Sequence, residues 1–512
     1  MMEKTNYSKR VILLIILMSV IRLIVASAIG LGNDESYYWF LSQHLKWNYF
    51  DHPPMFAVWL RIFTADLLLD KYVIFVRLGS IVGAGLATWF MYKCVSAISN
   101  EKAGWFAACL YNASFYAGIT AGLFIMPDSP QMVFYTLSLW MMARISKDEK
   151  CLISWLVFGI ASGLCIMSKV HGVFIWVGFG LYILFYKRRL LLNSRLYMAL
   201  IIALIIASPI LLWNIHYDFL TYRFNSERVV VKGFSMDFHG LLTEILGQFF
   251  INNPLNVIFI FIALIAWIKH SISRYPALSI FNFIGLLPPV ILLYISVYRT
   301  TLPHWSGPAY VSLIPIAAIW LSAVCKEKVA RMLVMISIVF YLLFMITCPL
   351  VINFYPGTFG NKTGEAQGKG DLTIDIYGWK EAANRFDSIY KKEASTGVIP
   401  LNTPLVCNKW WGAHIEYYFC HPLGIPMIGL GEMKELHEYM WTNELQKEKV
   451  NLSSAYCVIN SNDYYNVHEN FDKYYSKIDT VEVIPIQRNG LPAYKYYVFR
   501  LNGWKGTLPT IK

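Results

Sequence analysis

The sequence contains little charge for its length of 512 residues. Only 15% of the residues are Asp, Glu, Lys or Arg, whereas soluble domains average about 25%. At the same time 56% of the residues are hydrophobic, and they are gathered in long runs. So few charged residues cannot cover the surfaces of several soluble domains. The composition therefore excludes a soluble multidomain protein and predicts an integral membrane protein.

The sequence also lacks closely spaced cysteine pairs of the kind that bind metal ions or carry out redox reactions. None of the nine cysteines forms a Cys-x-x-Cys pair, which argues against a zinc ribbon or a thioredoxin-like redox site. Cys407 and Cys420 would be able to form a disulfide outside the cytoplasm, but free buried thiols are the favoured interpretation.

Acidic residues are absent from the middle of every apolar run. Ion-coupled transporters usually carry ionisable groups near the midplane of the membrane, so this absence disfavours ion-coupled transport. The net charge of +12 lies entirely in residues 1–352, since residues 353–512 contain 17 basic and 17 acidic residues. No soluble domain therefore carries the basic face of a nucleic-acid-binding protein.

Apolar runs long enough to cross a bilayer, at roughly 20 residues each, dominate residues 1–352. They predict a mainly α-helical membrane domain with about eleven spans, within a range of 10–13, followed by a soluble α/β domain over residues 353–512. The predicted spans are 11–31, 73–98, 103–125, 129–145, 151–167, 170–186, 197–215, 255–268, 277–298, 307–325 and 329–352. The predicted strands are Leu405–Lys409, Ala455–Asn460, Val481–Ile486 and Tyr494–Arg500, and the predicted helices are 376–393, 411–419 and 433–447.

The positive residues predict the orientation of the spans. With the N-terminus in the cytoplasm, six inner loops carry 17 Lys and Arg, against 8 in much longer outer segments. This distribution follows the positive-inside rule. The sequence therefore predicts a multi-pass membrane protein whose domain 353–512 lies outside the cytoplasm.

The first outer loop carries adjacent carboxylates, Asp34 and Glu35, followed by aromatic residues. Such a loop suits a site that holds a polar headgroup at the membrane surface. The alternative interpretation is structural: Asp34 caps a helix that begins at Glu35, and the aromatic side chains form an interfacial belt.

Five motifs in this order resemble those of bacterial polyprenyl-phosphate-sugar glycosyltransferases, which are related to the protein O-mannosyltransferases and to the aminoarabinose transferase of lipid A, members of glycosyltransferase families 39 and 83. The motifs are Asp34-Glu35, Tyr49-Phe50-Asp51-His52-Pro53-Pro54-Met55, Met126-Pro127-Asp128-Ser129-Pro130, Met167-Ser168-Lys169 and Leu302-Pro303-His304-Trp305. The resemblance covers most of residues 10–352 and reaches Tyr377-Gly378-Trp379. It implies the GT-C fold and an active site on the extracytoplasmic side.

The resemblance also implies roles for individual residues. Asp34 becomes the candidate base that takes a proton from the acceptor, and Glu35 the residue that orients the acceptor. Transfer from a sugar phosphate needs such a carboxylate, and it needs cations for the departing phosphate. Asp128 is a candidate polar contact, with a turn between Pro127 and Pro130 as the alternative.

The candidate phosphate-binding residues are Lys169, Arg299, His304 and His52. Lys169 has an alternative role as a side chain that extends to the membrane surface. The alternative role of Arg299 is that of a cation that stabilises a helix end. The alternative role of His304 is that of a histidine packed in a loop. Tyr49 and Asp51 complete the predicted substrate site.

His52 departs from the resemblance, because aminoarabinose transferases have Glu-Lys-Pro-Pro where this chain has Asp51-His52-Pro53-Pro54. A histidine is mostly neutral at pH 7 and is a weaker partner for phosphate than lysine. Asp51, His52 and His304 are ligand types that suit a divalent metal, which remains an alternative with no supporting spacing. No other cofactor is predicted.

The resemblance therefore implies an inverting glycosyltransferase of the cell inner membrane, whose domain 353–512 lies in the periplasm. It would move a hexosyl or pentosyl group from a polyprenyl-phosphate carrier to lipid A or another envelope glycan. If the acceptor is a phosphate instead of a hydroxyl, Asp34 would position it and remove no proton. A non-enzymatic flippase or transporter of polyprenyl-linked sugars, a protein O-mannosyltransferase and a structural or assembly protein remain the alternatives.

Overall fold

The fold is taken from a computed structural model, which describes residues 6–228, 230, 236–269, 272 and 275–511. Lys4, Lys232 and Arg274, which entered the charge count above, lie outside these residues. The chain divides into two compact units. The first, which we call the helical unit, contains residues 1–24, 46–66 and 74–345, and the second, the mixed unit, contains residues 25–45, 67–73 and 346–512.

Up to residue 354, the regular secondary structure of the described residues is helical. In chain order the α-helices are α1 (Tyr7–Ala28), α2 (Asn33–Ser42), α3 (Met55–Phe63), α4 (Val73–Ile98), α5 (Glu101–Ala113), α6 (Asp128–Lys147), α7 (Leu152–Ser168), α8 (Val173–Tyr186), α9 (Ser194–His216), α10 (Leu220–Glu227), α11 (Phe238–Ile251), α12 (Pro254–Ile268), α13 (Leu278–Ser296), α14 (Gly307–Ala323) and α15 (Glu327–Phe354).

Within the described residues, six helices are long and apolar enough to cross a membrane, or seven if the bent pair of α11 and α12 forms one span. The six are Tyr7–Ala28, Val73–Ile98, Ser194–His216, Leu278–Ser296, Pro303–Ala323 and Glu327–Phe354. Leu152–Ser168 and Val170–Tyr186 are apolar but shorter. The chain is thus a multi-pass membrane protein, while the count of about eleven spans stays a prediction.

Small residues allow α7 and α9 to pack closely inside the helical unit. A Cβ atom added at Gly159 would lie 2.7 Å from the Ala199 carbonyl oxygen, and one at Gly163 would lie 3.1 Å from the Ala203 Cα. Gly159 and Gly163 are four residues apart and therefore share one helix face, as in other close helix pairs of membrane proteins. The close packing against α9 helps to fix α7, which ends at Ser168, directly before Lys169.

The mixed unit contains a five-stranded sheet in the order β2-β1-β3-β5-β4. β1 pairs in parallel with β2 and β3, and the pairs β3–β5 and β4–β5 are antiparallel. The strands are β1 (Leu405–Cys407), β2 (Met427–Gly429), β3 (Ser454–Asn460), β4 (Tyr475–Arg488) and β5 (Leu491–Trp504). The helices are α16 (Trp379–Ser395), α17 (Gly412–Ile415), α18 (His421–Leu423), α19 (Met433–Leu436), α20 (Tyr439–Gln446) and α21 (Val467–Phe471).

Local sequence explains the longest hairpin of this sheet. Asn489 and Gly490 join β4 to β5 with φ angles of 47° and 75°, and an Asn-Gly pair favours the turn that requires positive φ at both central positions. On the strand side of the turn, Arg488 is completely buried and pairs with Asp371 at 2.9 Å. Its guanidinium also donates to the Gly357 carbonyl at 2.8 Å, so the hairpin is tied to the segment that follows α15.

Candidate active site

The start of α2 carries the two carboxylates that the sequence singled out, and the structure gives them different surroundings. Glu35 is 2% exposed, and its side chain accepts a hydrogen bond from the Gly32 amide at 3.0 Å. Asp34 is exposed. The helix begins at Asn33, and the hydrogen bond from the Gly32 amide to Glu35 closes its first turn. The alternative interpretation, in which Asp34 caps a helix that begins at Glu35, is therefore wrong.

Asn33, the residue before Asp34, is held by two side chains of the mixed unit. Its Nδ2 donates to Asp375 Oδ1 at 2.5 Å, and its Oδ1 lies 2.6 Å from Nδ1 of His414. The imidazole of His414 is buried and stacks on Trp379, with ring centres 3.7 Å apart. These contacts fix the backbone that presents Asp34.

Burial shifts the pKa values of the two side chains that contact Asn33. Burial raises the pKa of Asp375 to about 6, and the nearby Asp34 and Glu35 charges act in the same direction. Burial lowers the pKa of His414 to about 3. At neutral pH His414 is therefore a neutral ring, and its Nδ1–H donates to the Asn33 oxygen while Asn33 donates to Asp375.

Two backbone contacts fix the stretch that leads into α2. The Leu31 amide donates to the Tyr418 hydroxyl at 2.8 Å, and the Gly30 amide donates to the Ile376 carbonyl at 3.2 Å. Ile376 directly precedes the Tyr377-Gly378-Trp379 sequence that extended the family resemblance. The resemblance thus ends in residues that hold the Asp34 loop.

In the helical unit, Asp128 and Lys169 form a buried ion pair. The Lys169 ammonium contacts both carboxylate oxygens of Asp128, at 2.9 and 2.8 Å, and Asp128 also accepts from the Tyr116 hydroxyl at 2.5 Å. Lys169 is only 7% exposed. Its amine therefore points into the protein and does not extend to the membrane surface, and Asp128 is the first residue of α6 instead of a turn residue.

His52 and Asp51 lie in the loop before α3. His52 Nε2 is 3.7 Å from Asp51 Oδ2, and burial lowers the pKa of His52 although Asp51 opposes the shift. The buried Tyr49 helps to fix this loop, because its amide donates to the His52 carbonyl at 3.0 Å. A neutral His52 can donate a hydrogen bond to a phosphate but supplies no positive charge.

His304 and Arg228 complete the polar surroundings of the buried pair. The charges of Lys169, Asp128 and Arg228 act on the ring of His304, and the same three charges act on His52. The Arg228 guanidinium also lies over the Trp305 ring, 5.5 Å from its centre. The structure therefore brings His52, Asp128, Lys169 and His304 together and adds Arg228 as a second cation.

Arg299 has a different set of partners. Its guanidinium donates to the backbone carbonyls of Glu227 and Val230, at 2.7 and 2.9 Å. These contacts hold the end of α10, next to Arg228. The role of Arg299 at a phosphate stays a prediction.

No group of three or more His, Cys, Asp or Glu side chains among the described residues has the arrangement needed to hold a metal ion. Asp51, His52 and His304 are included in that statement. The metal alternative therefore gains no support from the geometry.

The chain is similar in sequence to known proteins. The family profile of Dolichyl-phosphate-mannose-protein mannosyltransferase matches residues 51–213. The lipid A galacturonosyltransferase RgtD of Rhizobium johnstonii is 24% identical over 401 residues, which are 77% of this chain and 80% of that protein.

Two crystal structures share the fold over nearly the whole chain. ArnT from Cupriavidus metallidurans in the apo state has a TM-score of 0.60 at 12% identity, covering 96% of this chain and 98% of that one. The same enzyme bound to undecaprenyl phosphate has a TM-score of 0.61 at 14% identity, covering 95% and 97%. The chain therefore has the fold of the GT-C glycosyltransferases.

Several residues of the two clusters described above, one in each unit, were not found from the sequence. Asn33, Asp375 and His414 support Asp34, and Tyr116 and Arg228 accompany the buried pair. One local signal could have found His414, which lies two residues after the aromatic sequence Trp410-Trp411-Gly412. The others lie in stretches whose sequence is unremarkable for a helix end or a loop.

Proposed function

We propose that this glycosyltransferase transfers a sugar from a polyprenyl-phosphate carrier to lipid A or another envelope glycan. The reaction takes place on the periplasmic side of the inner membrane, with residues 1–352 as the catalytic membrane domain and residues 353–512 as a periplasmic domain. The observation that carries the proposal is the 24% identity to a lipid A galacturonosyltransferase across 80% of that enzyme's length. Further support comes from the fold, which this chain shares with an enzyme crystallised with undecaprenyl phosphate.

In the proposed reaction an acceptor hydroxyl attacks the anomeric carbon of the donor sugar. The bond from that carbon to the phosphate oxygen breaks, the lipid phosphate departs with the electron pair, and Asp34 takes the proton of the hydroxyl. The anomeric configuration inverts, because attack occurs from the face opposite the phosphate. Exposure of Asp34 at the start of α2 makes its carboxylate accessible to an acceptor.

Glu35 is a positioning residue in this proposal. It is buried against the Gly32 amide, so it fixes the first turn of α2 and with it the direction of Asp34. The departing phosphate is assigned to Lys169. Asp128 holds the Lys169 ammonium in place, and the Tyr116 hydroxyl in turn donates to Asp128. Arg228, His52 and His304 supply further donors, and preorganised donors of this kind stabilise the charge that develops on a leaving group.

The decisive experiment measures transfer by the purified full-length protein from radiolabelled undecaprenyl-phosphate sugars to lipid A. We expect Asp34→Asn to lower kcat by about 10² to 10⁴, the usual contribution of a general base. Asp387→Asn is the matched control, since Asp387 lies on α16 and pairs with the exposed Lys391. Wild-type transfer by Asp34→Asn would contradict the role of Asp34.

The alternatives give different results in the same assay. A flippase or transporter moves the labelled headgroup across a vesicle membrane without forming a product and tolerates Asp34→Asn. A protein O-mannosyltransferase labels protein and leaves lipid A unlabelled. Mass spectrometry of envelope lipids from cells with and without the gene then identifies the sugar and the acceptor, and a chelator in the assay tests dependence on a divalent ion.

A further inference from the structure

A cavity of about 570 Å³ lies in the mixed unit at the carboxyl ends of two parallel strands. Asn408 and Lys409 line it directly after β1, and Asn462 and Asp463 line it after β3. The carboxyl ends of parallel strands are where open α/β sheets commonly bind ligands, because the chain leaves the sheet there in loops that can carry polar side chains. Its position and volume are those of a small-molecule site.

The walls of the cavity combine aromatic rings with side-chain amides. Trp379 and Trp411 supply indole surface, and Asn33, Asn408, Asn460 and Asn462 supply amide groups. A sugar ring has one face of C–H groups that packs on an aromatic ring, and an edge of hydroxyls that need both donors and acceptors. A carboxamide provides both, so this combination fits a carbohydrate better than it fits an apolar ligand.

The charges of the walls argue against a phosphate ligand. Lys409 is the one cation among the lining residues that the structure describes, and its ammonium lies 4.8 Å from the centre of the Trp411 ring. Asp375 and Asp463 are carboxylates of the same cavity, and Asp371 is already neutralised by the buried Arg488. An anion would meet more acceptors than cations here.

The cavity also adjoins the proposed catalytic loop within the same unit. Asn33 lines it and is the residue directly before Asp34. A ligand that contacts the Asn33 amide is therefore held beside the backbone that carries the proposed base. The donor needs a cationic phosphate site, which this cavity does not offer, so the acceptor is the substrate that suits it.

We infer that this cavity binds an uncharged or amino sugar ring of the acceptor glycan and so positions the acceptor for Asp34. The inference rests on the proposed function, since it names the part of the acceptor that the mixed unit recognises. Trp411 and Asn462 are its sugar-contacting residues, and Asn33 links the bound ring to the catalytic loop.

The test compares Trp411→Leu with Trp410→Leu in the lipid A transfer assay. Trp410 is the neighbouring indole and is not among the residues that line the cavity, so it is a matched control. We expect Trp411→Leu to raise the KM for the acceptor about tenfold, as the loss of an aromatic contact would. The KM for the donor and kcat stay within twofold, and Trp410→Leu leaves the acceptor KM unchanged. Asn462→Ala provides a second variant with little risk to folding, and thermal unfolding checks all three.

Other outcomes overturn the inference. They are an unchanged acceptor KM in Trp411→Leu and Asn462→Ala, equal effects of the two Trp substitutions, or a fall in kcat alone. If the wild-type protein transfers nothing to lipid A, the proposed function fails, and saturation-transfer NMR with the deacylated, phosphate-free lipid A disaccharide still tests the cavity. Disaccharide signals that disappear in Trp411→Leu support it, and their absence in the wild type, or their loss on adding inorganic phosphate, contradicts it.

Discussion

At the scale of single residues, the main question is what the buried pair of Lys169 and Asp128 does. A buried ion pair contributes little net stability by itself, because removing both charges from water offsets their attraction. Loss of one partner is costly, since it leaves the other charge buried without compensation. A loss of activity in a single Lys169 variant would therefore not distinguish a structural role from a phosphate-binding role.

We predict that Lys169→Met destabilises the protein by about 3–5 kcal/mol and that the double variant Asp128→Leu with Lys169→Met recovers most of that loss. Thermal unfolding in detergent measures both effects. The control is Lys187→Met: Lys187 pairs with Glu149 at 2.9 Å but is 41% exposed, so its loss should cost at most about 1 kcal/mol.

Transfer activity then separates the two roles of Lys169. If Lys169 binds the departing phosphate, the stable double variant remains inactive. Recovery of wild-type transfer together with stability would leave Lys169 with a structural role only.

At the scale of elements, the segment from α17 to α18 contains a titratable group that links it to α20. Glu416 accepts a hydrogen bond from the Tyr439 hydroxyl at 2.7 Å, and burial raises the pKa of Glu416 to about 7 although Tyr439 and His421 oppose the shift. The native state therefore binds a proton here more tightly than the unfolded chain does. The stabilisation that results is complete below the unfolded pKa and is lost as the pH rises through 7.

We predict that the segment 412–423 opens more readily at pH 8 than at pH 5 and that Glu416→Gln removes this difference. Hydrogen exchange followed by mass spectrometry measures opening of this segment directly. Glu448→Gln, at an exposed position, is the control and should keep the pH dependence. A wild-type segment whose protection increases from pH 5 to pH 8 would contradict the argument.

At the scale of the whole molecule, the uneven distribution of positive residues predicts how the chain lies in the membrane. The six inner loops carry more than twice as many Lys and Arg as the longer outer segments. Translocation of a positively charged loop is disfavoured, so we expect these loops to stay in the cytoplasm. The orientation of both ends follows if the number of crossings is odd.

We predict that a reporter enzyme active only outside the cytoplasm is active when fused after Lys512 and silent when fused after Asn193. Immunoblots confirm that both fusions are made in similar amounts. An active fusion after Asn193, or a silent one after Lys512, would show that the orientation or the parity of the spans is wrong.

Much of the fold was predictable from local sequence. Strands β1, β3, β4 and β5 lie where alternating or β-branched residues predicted them, and α16 covers most of the helix predicted over 376–393. The three-residue β2 was missed, because it lies among Gly424, Pro426, Gly429 and Gly431, residues that are typical of turns. The membrane helices were recognised as apolar, but bends such as the one of 96° between α11 and α12 leave the number of crossings undecided.

The sequence by itself determined that this is a membrane protein, and it contains the motifs with Asp34, Asp128, Lys169 and His304. It also predicts which face lies in the cytoplasm. These properties depend on composition and on residues close together in the chain. Only the tertiary structure decided that Asp375 and His414 hold Asn33, across more than 300 residues. It also decided that a cavity lined by indole rings and side-chain amides lies beside Asn33. Contacts of that kind depend on which distant side chains the fold brings together, and no local periodicity records them.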